Sequence, residues 1–514
     1  MSRLAPLGRA LGQHWLFALG LLAGLVLRVL AQLAYQPALI YIDTEKYLYN
    51  GYPGADPVGY KAPLAVLLAI GNLQVVTAVQ HLLGLAIAIT IYLVLVRLHC
   101  QRWLAAIAAL PILLDAYQVQ IEQNIMPDVW FEALIVAAIA VLLIRPLHRD
   151  AERGRIPLGL WYVISAGLLI GLGATVRQVG EVLLLPALLY LVVAGGGWRT
   201  VLIRSAALIA AFAIPVVGYM AGSDVISGHF WLDSGSVSIS SYGRMAIAAD
   251  CATLRIPSYE RPLCPTPRQR RYGIDWLDHD SHSPIKAYVA PAGLNRYAVI
   301  ARFDHQVAEQ QPLRVASAIV ADGAKLFAIN RTSSQSGTPI ARWQFQETYP
   351  SFPSWVTVNA QHVIVFGLRL TPAGGPLVRH PLNPSYGGKA EVNKPIATVL
   401  RAYQLHGGYT PGPLMALFTL AGLAGSLLLF FRKLTDRARQ LALACLLFFG
   451  SGLAVLAMSD AFQFSWRYQL PALVTLPPAG ALGVAALAGY LLRRRESLAE
   501  PAEHRPSEVA TPAV

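Results

Sequence analysis

Long apolar runs recur along this chain, without the strict alternation of strands or the one-sided stripes of amphipathic helices. They cover 14–35, 75–97, 103–115, 128–144, 159–176, 180–194 and 203–222, and after a long polar interval 412–431, 440–458 and 471–492. A helix needs roughly 20 apolar residues to cross about 30 Å of hydrocarbon, and most of these runs supply them. The third is short and interrupted by Pro111. Barrel strands would read instead as ~10-residue alternating segments. The pattern predicts an all-α polytopic membrane protein with about ten transmembrane helices.

Composition sharpens this. Of 514 residues, 55% are hydrophobic and only 13% charged, against about 25% charged in soluble chains. That excludes a soluble enzyme, a secreted protein and a disordered scaffold. The formal charge of +13 would suggest nucleic acid in a soluble protein, but its distribution follows the membrane. With both termini placed in the cytoplasm, eighteen Lys and Arg residues fall in short inside segments, and only Lys46, Lys61, Arg177 and Arg467 in short outside ones. This satisfies the positive-inside rule and places the protein in the cell membrane with cytoplasmic N- and C-termini. Arg3 and Arg9 would suit a signal peptide, yet the length of the first run and the Arg28 within it predict a retained span.

Four regions follow. Residues 1–222 form an N-terminal transmembrane module whose outer loops carry the candidate chemistry, and 412–495 a C-terminal transmembrane module. Between the seventh and eighth spans, 223–411 lies outside; its 18 basic and 12 acidic residues make it mildly positive. It is too long for a bare loop. Turns such as Asn-Pro-Ser-Tyr-Gly-Gly at 383–388 and a helical stretch over Leu294–Ile329 predict a mixed extracytoplasmic domain with juxtamembrane helices. The Glu, Ala, Pro and Ser-rich tail 496–514 is predicted to be disordered. Cys251 and Cys264, both outside, are expected to form a disulfide. Cys100 and Cys445 read as small apolar residues.

Carboxylates and guanidiniums gather at the outer face. The first outside loop, IYIDTEKYLYNGYPGADPVGYKAP, sets Asp43 and Glu45 just beyond the first span, beside Tyr47. Carboxylates at that depth are costly unless solvated, paired or used. In IMPDVWFEAL, Asp128 and Glu132 lie four apart on one helix face, although an acid at a helix N-terminus is also favoured by the dipole alone. Arg177 in GATVRQVGEV and Arg467 in FSWRYQLPA, next to Tyr468, stand on the same side. A guanidinium suits a phosphate, being bidentate and permanently charged. Pairing of Arg177 with Glu181 and headgroup contact by Arg467 are the plainer alternatives. Arg28, inside an apolar helix, is expected to face a partner or a cavity.

These motifs, IDTEKYLY, MPDVWFEAL, GLGATVRQVGE and WRYQLP, resemble those of the GT-C superfamily. These are polytopic glycosyltransferases using polyprenyl-phosphate-linked sugars, including protein O-mannosyltransferases, lipid A aminoarabinose transferases and uncharacterised actinobacterial members. The resemblance implies Asp43 as general base, a second acidic position at Asp128, and Arg467 as the arginine of the last outside loop. Arg177 and Arg28 join it as donor-phosphate ligands, with Tyr47, Glu132 and Tyr468 as sugar or acceptor contacts. The family's acidic dipeptide is broken here by Thr44. Glu45 is thereby left to orient an acceptor hydroxyl, to bind a divalent cation with Asp43, or to pair with Lys46. The implied partners are a lipid-linked sugar, a cell-envelope acceptor (polysaccharide, lipid or protein) and membrane lipid, without nucleic acid; no cofactor beyond that cation is implied.

Other strings read more plainly. His279 and His282 in DWLDHDSHS suit a polar surface turn better than a metal site, and His81 an interhelical hydrogen bond. Trp231, Tyr242, Trp276, Trp343 and Trp355 are expected in an interfacial belt. The rival functions are a transporter or flippase of a lipid-linked sugar, which would favour repeated halves and midplane charges, and a non-catalytic envelope assembly partner.

Overall fold

The structure, a computed structural model, describes residues 4–49, 57–144, 159–233, 237–334, 337–348, 355–358, 378–381, 390–431 and 434–499. The tail beyond 499, the 383–388 turn and the Glu45 side chain lie outside the described residues.

Each predicted apolar run is helical. In the N-terminal half the helices are α1 (Leu4–Ala34), α2 (Ile42–Tyr49), α3 (Lys61–Ile70), α4 (Leu73–Arg97), α5 (Arg102–Leu114), α6 (Ala116–Gln123), α7 (Asp128–Leu143), α8 (Leu160–Val176), α9 (Leu184–Ala194) and α10 (Trp198–Ser227). The middle segment adds α11 (Val237–Ala248), α12 (Pro267–Arg270), α13 (Ile274–His279), α14 (Pro284–Ala287), α15 (Arg296–Gln310), α16 (Pro312–Gly323) and α17 (Lys394–Leu405). Last come α18 (Gly412–Leu427), α19 (Asp436–Phe462) and α20 (Pro471–Ala499). Among the described residues, 6 helices are long and apolar enough to cross a membrane, or up to 7 if the bent pair α5–α6 is one span. α8 and the stretch Gln178–Ala194 are apolar but shorter.

The third run is interrupted, though not at Pro111, which sits inside α5. The break falls at Asp115, where the axis bends by 49°. Asp115 caps α6 by accepting from the Tyr117 N–H and is held by Arg331 of the middle segment, whose nitrogens donate at 2.6 and 3.1 Å. A side-chain cap satisfies a backbone donor that the break would otherwise strand.

The main core runs continuously through α4, α5, α7, α19 and α20, while α11, α13, α15 and α16 enclose a second cluster around Tyr242, Phe303 and Leu277. α18 and α20 approach closely because Gly483 has no Cβ; one there would lie 2.0 Å from the Ala421 carbonyl oxygen. The middle segment is mostly helical, with two short antiparallel pairs. β1 (Tyr35–Gln36) pairs β4 (Glu391–Val392), and β2 (Trp355–Val358) pairs β3 (Val378–Pro381). A disulfide joins Cys251 to Cys264, and Cys100 and Cys445 are buried and free. Tyr242 and Trp343 are core residues, 0% and 2% exposed, not members of a surface belt; Tyr242 fills the second cluster of the middle segment, and Trp343 packs into the main core.

Candidate functional site

Three loops converge at one end of the bundle. α2 presents Asp43 in its first turn, and its position is set by Thr44, the residue that separates Asp43 from Glu45. Thr44 is fully buried, and its hydroxyl accepts from the Tyr41 N–H and donates to the Ile125 carbonyl at 3.1 Å. The first loop is thereby fixed to the strand-like segment that leads into Pro127 and Asp128. Further on, the Gly59 N–H donates to the Thr175 carbonyl at 2.9 Å, an approach open only to glycine because a Cβ would sit 2.5 Å from that oxygen. This brings the same loop against the end of α8, where Arg177 begins a tight 3-10 turn.

Arg467 ties the group together. Its Nη1 donates to Asp43 Oδ2 at 2.7 Å and its Nε to both Asp128 oxygens at 3.0 Å. Arg177 Nη1 bonds Asp128 from the other side, so the alternative pairing with Glu181 is not formed. Asp128 is 4% exposed and Arg467 5%, whereas Asp43 keeps 28% of its side chain open. Tyr468 lies between the arginines, its ring centroid 5.0 Å from the guanidinium carbon of Arg177 and 5.5 Å from that of Arg467. Burial by itself would raise the Asp43 carboxyl, but Lys46 and Arg467 outweigh it and hold its pKa down to about 2. Burial likewise opposes the charge on Arg467, and Asp128 and Asp43 overcome it, raising its pKa well above the usual value.

The turn carrying Arg467 is braced by the middle segment. Trp466 Nε1 donates to the Thr332 carbonyl at 3.0 Å and the Thr338 hydroxyl to Ser465 Oγ at 2.8 Å. Trp343 covers the guanidinium, 5.5 Å from ring centroid to Cζ, and its ring also packs on Tyr41 at 4.7 Å. Beside it Arg342 donates to both Asp275 oxygens at 3.2 and 3.0 Å. These contacts had no signal in the sequence, since Arg342 and its neighbour Tyr41 are 301 positions apart. Lys61 is partly buried at the start of α3, its backbone N–H donating to the Val58 carbonyl at 2.9 Å, and burial draws its ammonium below the usual pKa.

Other candidates lie elsewhere. Arg28, expected to hold phosphate, is 1% exposed and spends its guanidinium on protein. It donates to Glu122 at 2.8 and 2.7 Å and to the carbonyls of Gly24, Leu113 and Ile112. His81 also faces Glu122 at 3.0 Å and Gln123 at 2.7 Å. Glu132, expected to meet sugar, is 0% exposed and bonded by Gln118 Nε2 at 2.8 Å, because four residues along α7 from Asp128 is already one turn into the core. Tyr47 is 3% exposed and packs edge-on against Tyr60 at 5.2 Å.

The Glu45 side chain, which would share a divalent cation with Asp43, lies outside the described residues. Asp43 and Asp128 are bridged by a guanidinium, and among the described residues no group of three or more His, Cys, Asp or Glu could hold a metal. His282 is 88% exposed beside Asp280, and His279 bonds its own helix at Asp275.

No protein-family model and no curated protein matches the chain. Solved structures do, and those neighbours are GT-C glycosyltransferases. The oligosaccharyltransferase AglB from Archaeoglobus fulgidus, in complex with an inhibitory peptide and a dolichol-phosphate, has a TM-score of 0.39 at 12% identity, covering 97% of this chain and 53% of that one. ArnT from Cupriavidus metallidurans, bound to undecaprenyl phosphate, has a TM-score of 0.34 at 13% identity, covering 96% and 82%. The S. cerevisiae protein O-mannosyltransferase Pmt1-Pmt2 complex, bound to the sugar donor, has a TM-score of 0.33 at 15% identity, covering 45% and 36%. The chain thus spans about half the length of the archaeal enzyme.

Proposed function

We propose that this chain is a membrane glycosyltransferase that moves a sugar from a polyprenyl-phosphate donor to a hydroxyl of a cell-envelope acceptor, with inversion, at the extracytoplasmic face of the cell membrane. One observation carries the reading: Asp43, the most open carboxylate of the group, sits 2.7 Å from Arg467 in a cluster that also holds Asp128 and Arg177. A base and permanent cations around one chamber is what such a transfer needs. The acceptor oxygen attacks the anomeric carbon, the bond from that carbon to the phosphate oxygen breaks, and the hydroxyl proton passes to Asp43. The departing phosphate keeps the bonding pair and is met by the remaining nitrogens of Arg177 and Arg467.

Held near a pKa of about 2, Asp43 is a weak base while it is paired with Arg467. A donor phosphate that draws Arg467 and Lys46 toward itself removes the charges that depress the carboxyl, so donor binding strengthens the base. The carrier alternative draws on Arg28, Glu122 and His81, which are buried within the helices, but Arg28 is saturated by protein acceptors. Asp43→Asn, with membrane insertion verified, is expected to reduce transfer from a radiolabelled polyprenyl-phosphate sugar by on the order of 100-fold or more. Transfer at the parental rate would overturn the assignment.

A further inference from the structure

At the other end of the bundle the helices leave an open cavity of about 460 Å³, within the range of ligand sites. Its rim is polar, with His99, Gln101 and Arg437, and its walls are apolar, with Leu441, Ala488 and Leu492. From Pro471, beside the Arg467 turn, to Leu492 the helix α20 rises roughly 30 Å at ~1.5 Å per residue, so the cavity lies about one hydrocarbon thickness from the candidate site. By the distribution of basic residues this is the cytoplasmic face.

Two features mark it apart from ordinary interhelical space. Arg437 has no acidic partner among the described residues and donates only to the His99 carbonyl, at 3.0 Å. Arg97, Arg102, Arg439 and Arg493 to Arg495 stand in the same or adjoining turns, against Asp436 and Glu496 as the acids there by sequence. His99 is the second feature: with φ 61 it is the one non-glycine residue in left-handed conformation among the described residues. It follows the end of α4, where the His99 N–H reaches Val96 and the Cys100 N–H reaches Leu95. Glycine fills this position without strain. A histidine there, turned onto a cavity rim, costs backbone energy that its side chain must offset by another interaction.

A cationic rim above apolar walls at the inner membrane surface matches an anionic amphiphile. We propose that the cavity is a binding site for an anionic phospholipid of the inner leaflet, its phosphate at Arg437 and His99 and the upper acyl chains along Ala488 and Leu492. Guanidinium and imidazole N–H groups donate to the phosphate oxygens, and the acyl segment covers apolar surface that water would otherwise wet.

The test uses the full chain in nanodiscs of phosphatidylcholine with a minority of phosphatidylglycerol, lipids retained after gentle extraction being counted by native mass spectrometry. One phosphatidylglycerol per chain is expected. Arg437→Ala should retain roughly fivefold less, the size of one guanidinium's attraction to an anionic surface, and Ala488→Leu, which fills the cavity, should retain none. His99→Gly controls for folding: its thermal midpoint should equal or exceed the parent's while retention falls. Equal retention of the two lipids, parental retention by both Arg437→Ala and Ala488→Leu, or complete release by inorganic phosphate would each overturn the proposal. None of these readouts depends on sugar transfer.

Discussion

Arg467 Nη1 reaches Asp43 Oδ2 at 2.7 Å across 424 positions of sequence, joining the loop after α1 to the turn before α20. Because the same guanidinium donates through Nε to both oxygens of Asp128, it fixes the separation of the two carboxylates with one rigid fork. Lysine carries the same charge but only a point donor on a flexible stem. Arg467→Lys is therefore expected to fold and to lose on the order of 100-fold in transfer, read as turnover of a labelled lipid-phosphate sugar. A variant within threefold of the parent would show that the fork is not needed.

Arg28 should behave differently. It satisfies Glu122 in a site where both side chains are 1% exposed or less, so Arg28→Leu leaves a buried carboxylate without its cation. The expected loss is about 3–5 kcal/mol of stability, seen as a lower thermal midpoint and poor recovery from membranes. The fraction that folds should bind donor normally. A stable Arg28→Leu protein with weakened donor affinity would return the residue to the phosphate site.

The middle segment carries a pH dependence of its own. Asp304 is 7% exposed; burial pushes its carboxyl up to about 8 from an ordinary 3.8, with the hydrogen bond from Ser241 opposing. Its folded form thus keeps a proton that the unfolded chain has released. Stability is full below about pH 4 and falls as pH rises toward 8. Asp304→Asn, neutral throughout, should flatten that slope and raise the thermal midpoint at about pH 8. Buried Asp278, raised well above its usual value by burial against a bond from Gly243, contributes a residual slope. An unchanged slope in Asp304→Asn would refute the assignment.

The disulfide between Cys251 and Cys264 closes a loop with a sequence separation of 13. Replacing both by Ser is expected to destabilise the cluster around Tyr242 and Phe303 by about 3 kcal/mol, measured as earlier proteolysis within 240–320 on heating, while transfer at low temperature is unchanged. Equal protease resistance with and without the bridge would argue against it.

The apolar helices and four charged residues of the candidate site were readable from sequence, since apolar length marks a span and a carboxylate or guanidinium at its end stands out against the run. Partners were not. Nothing local to Arg28 announces Glu122, 94 positions away, and the spacing that puts Asp128 and Glu132 on one face is silent on which of them meets the arginines. Thr44 read as an interruption of an acidic pair, yet its hydroxyl is what anchors the loop. Trp343 looked like a belt residue because its environment is made largely by distant chain, Tyr41 and Arg467 among it.

Asp115 and Arg331 set an order on biogenesis. The carboxylate that caps the broken helix lies 216 residues upstream of the arginine that pairs with it, and four further apolar runs separate the two in the chain. Until Arg331 has been synthesised and has packed against the α5–α6 break, the Asp115 carboxylate lacks the guanidinium that completes it, so the contact between the amino-terminal bundle and the middle segment forms late.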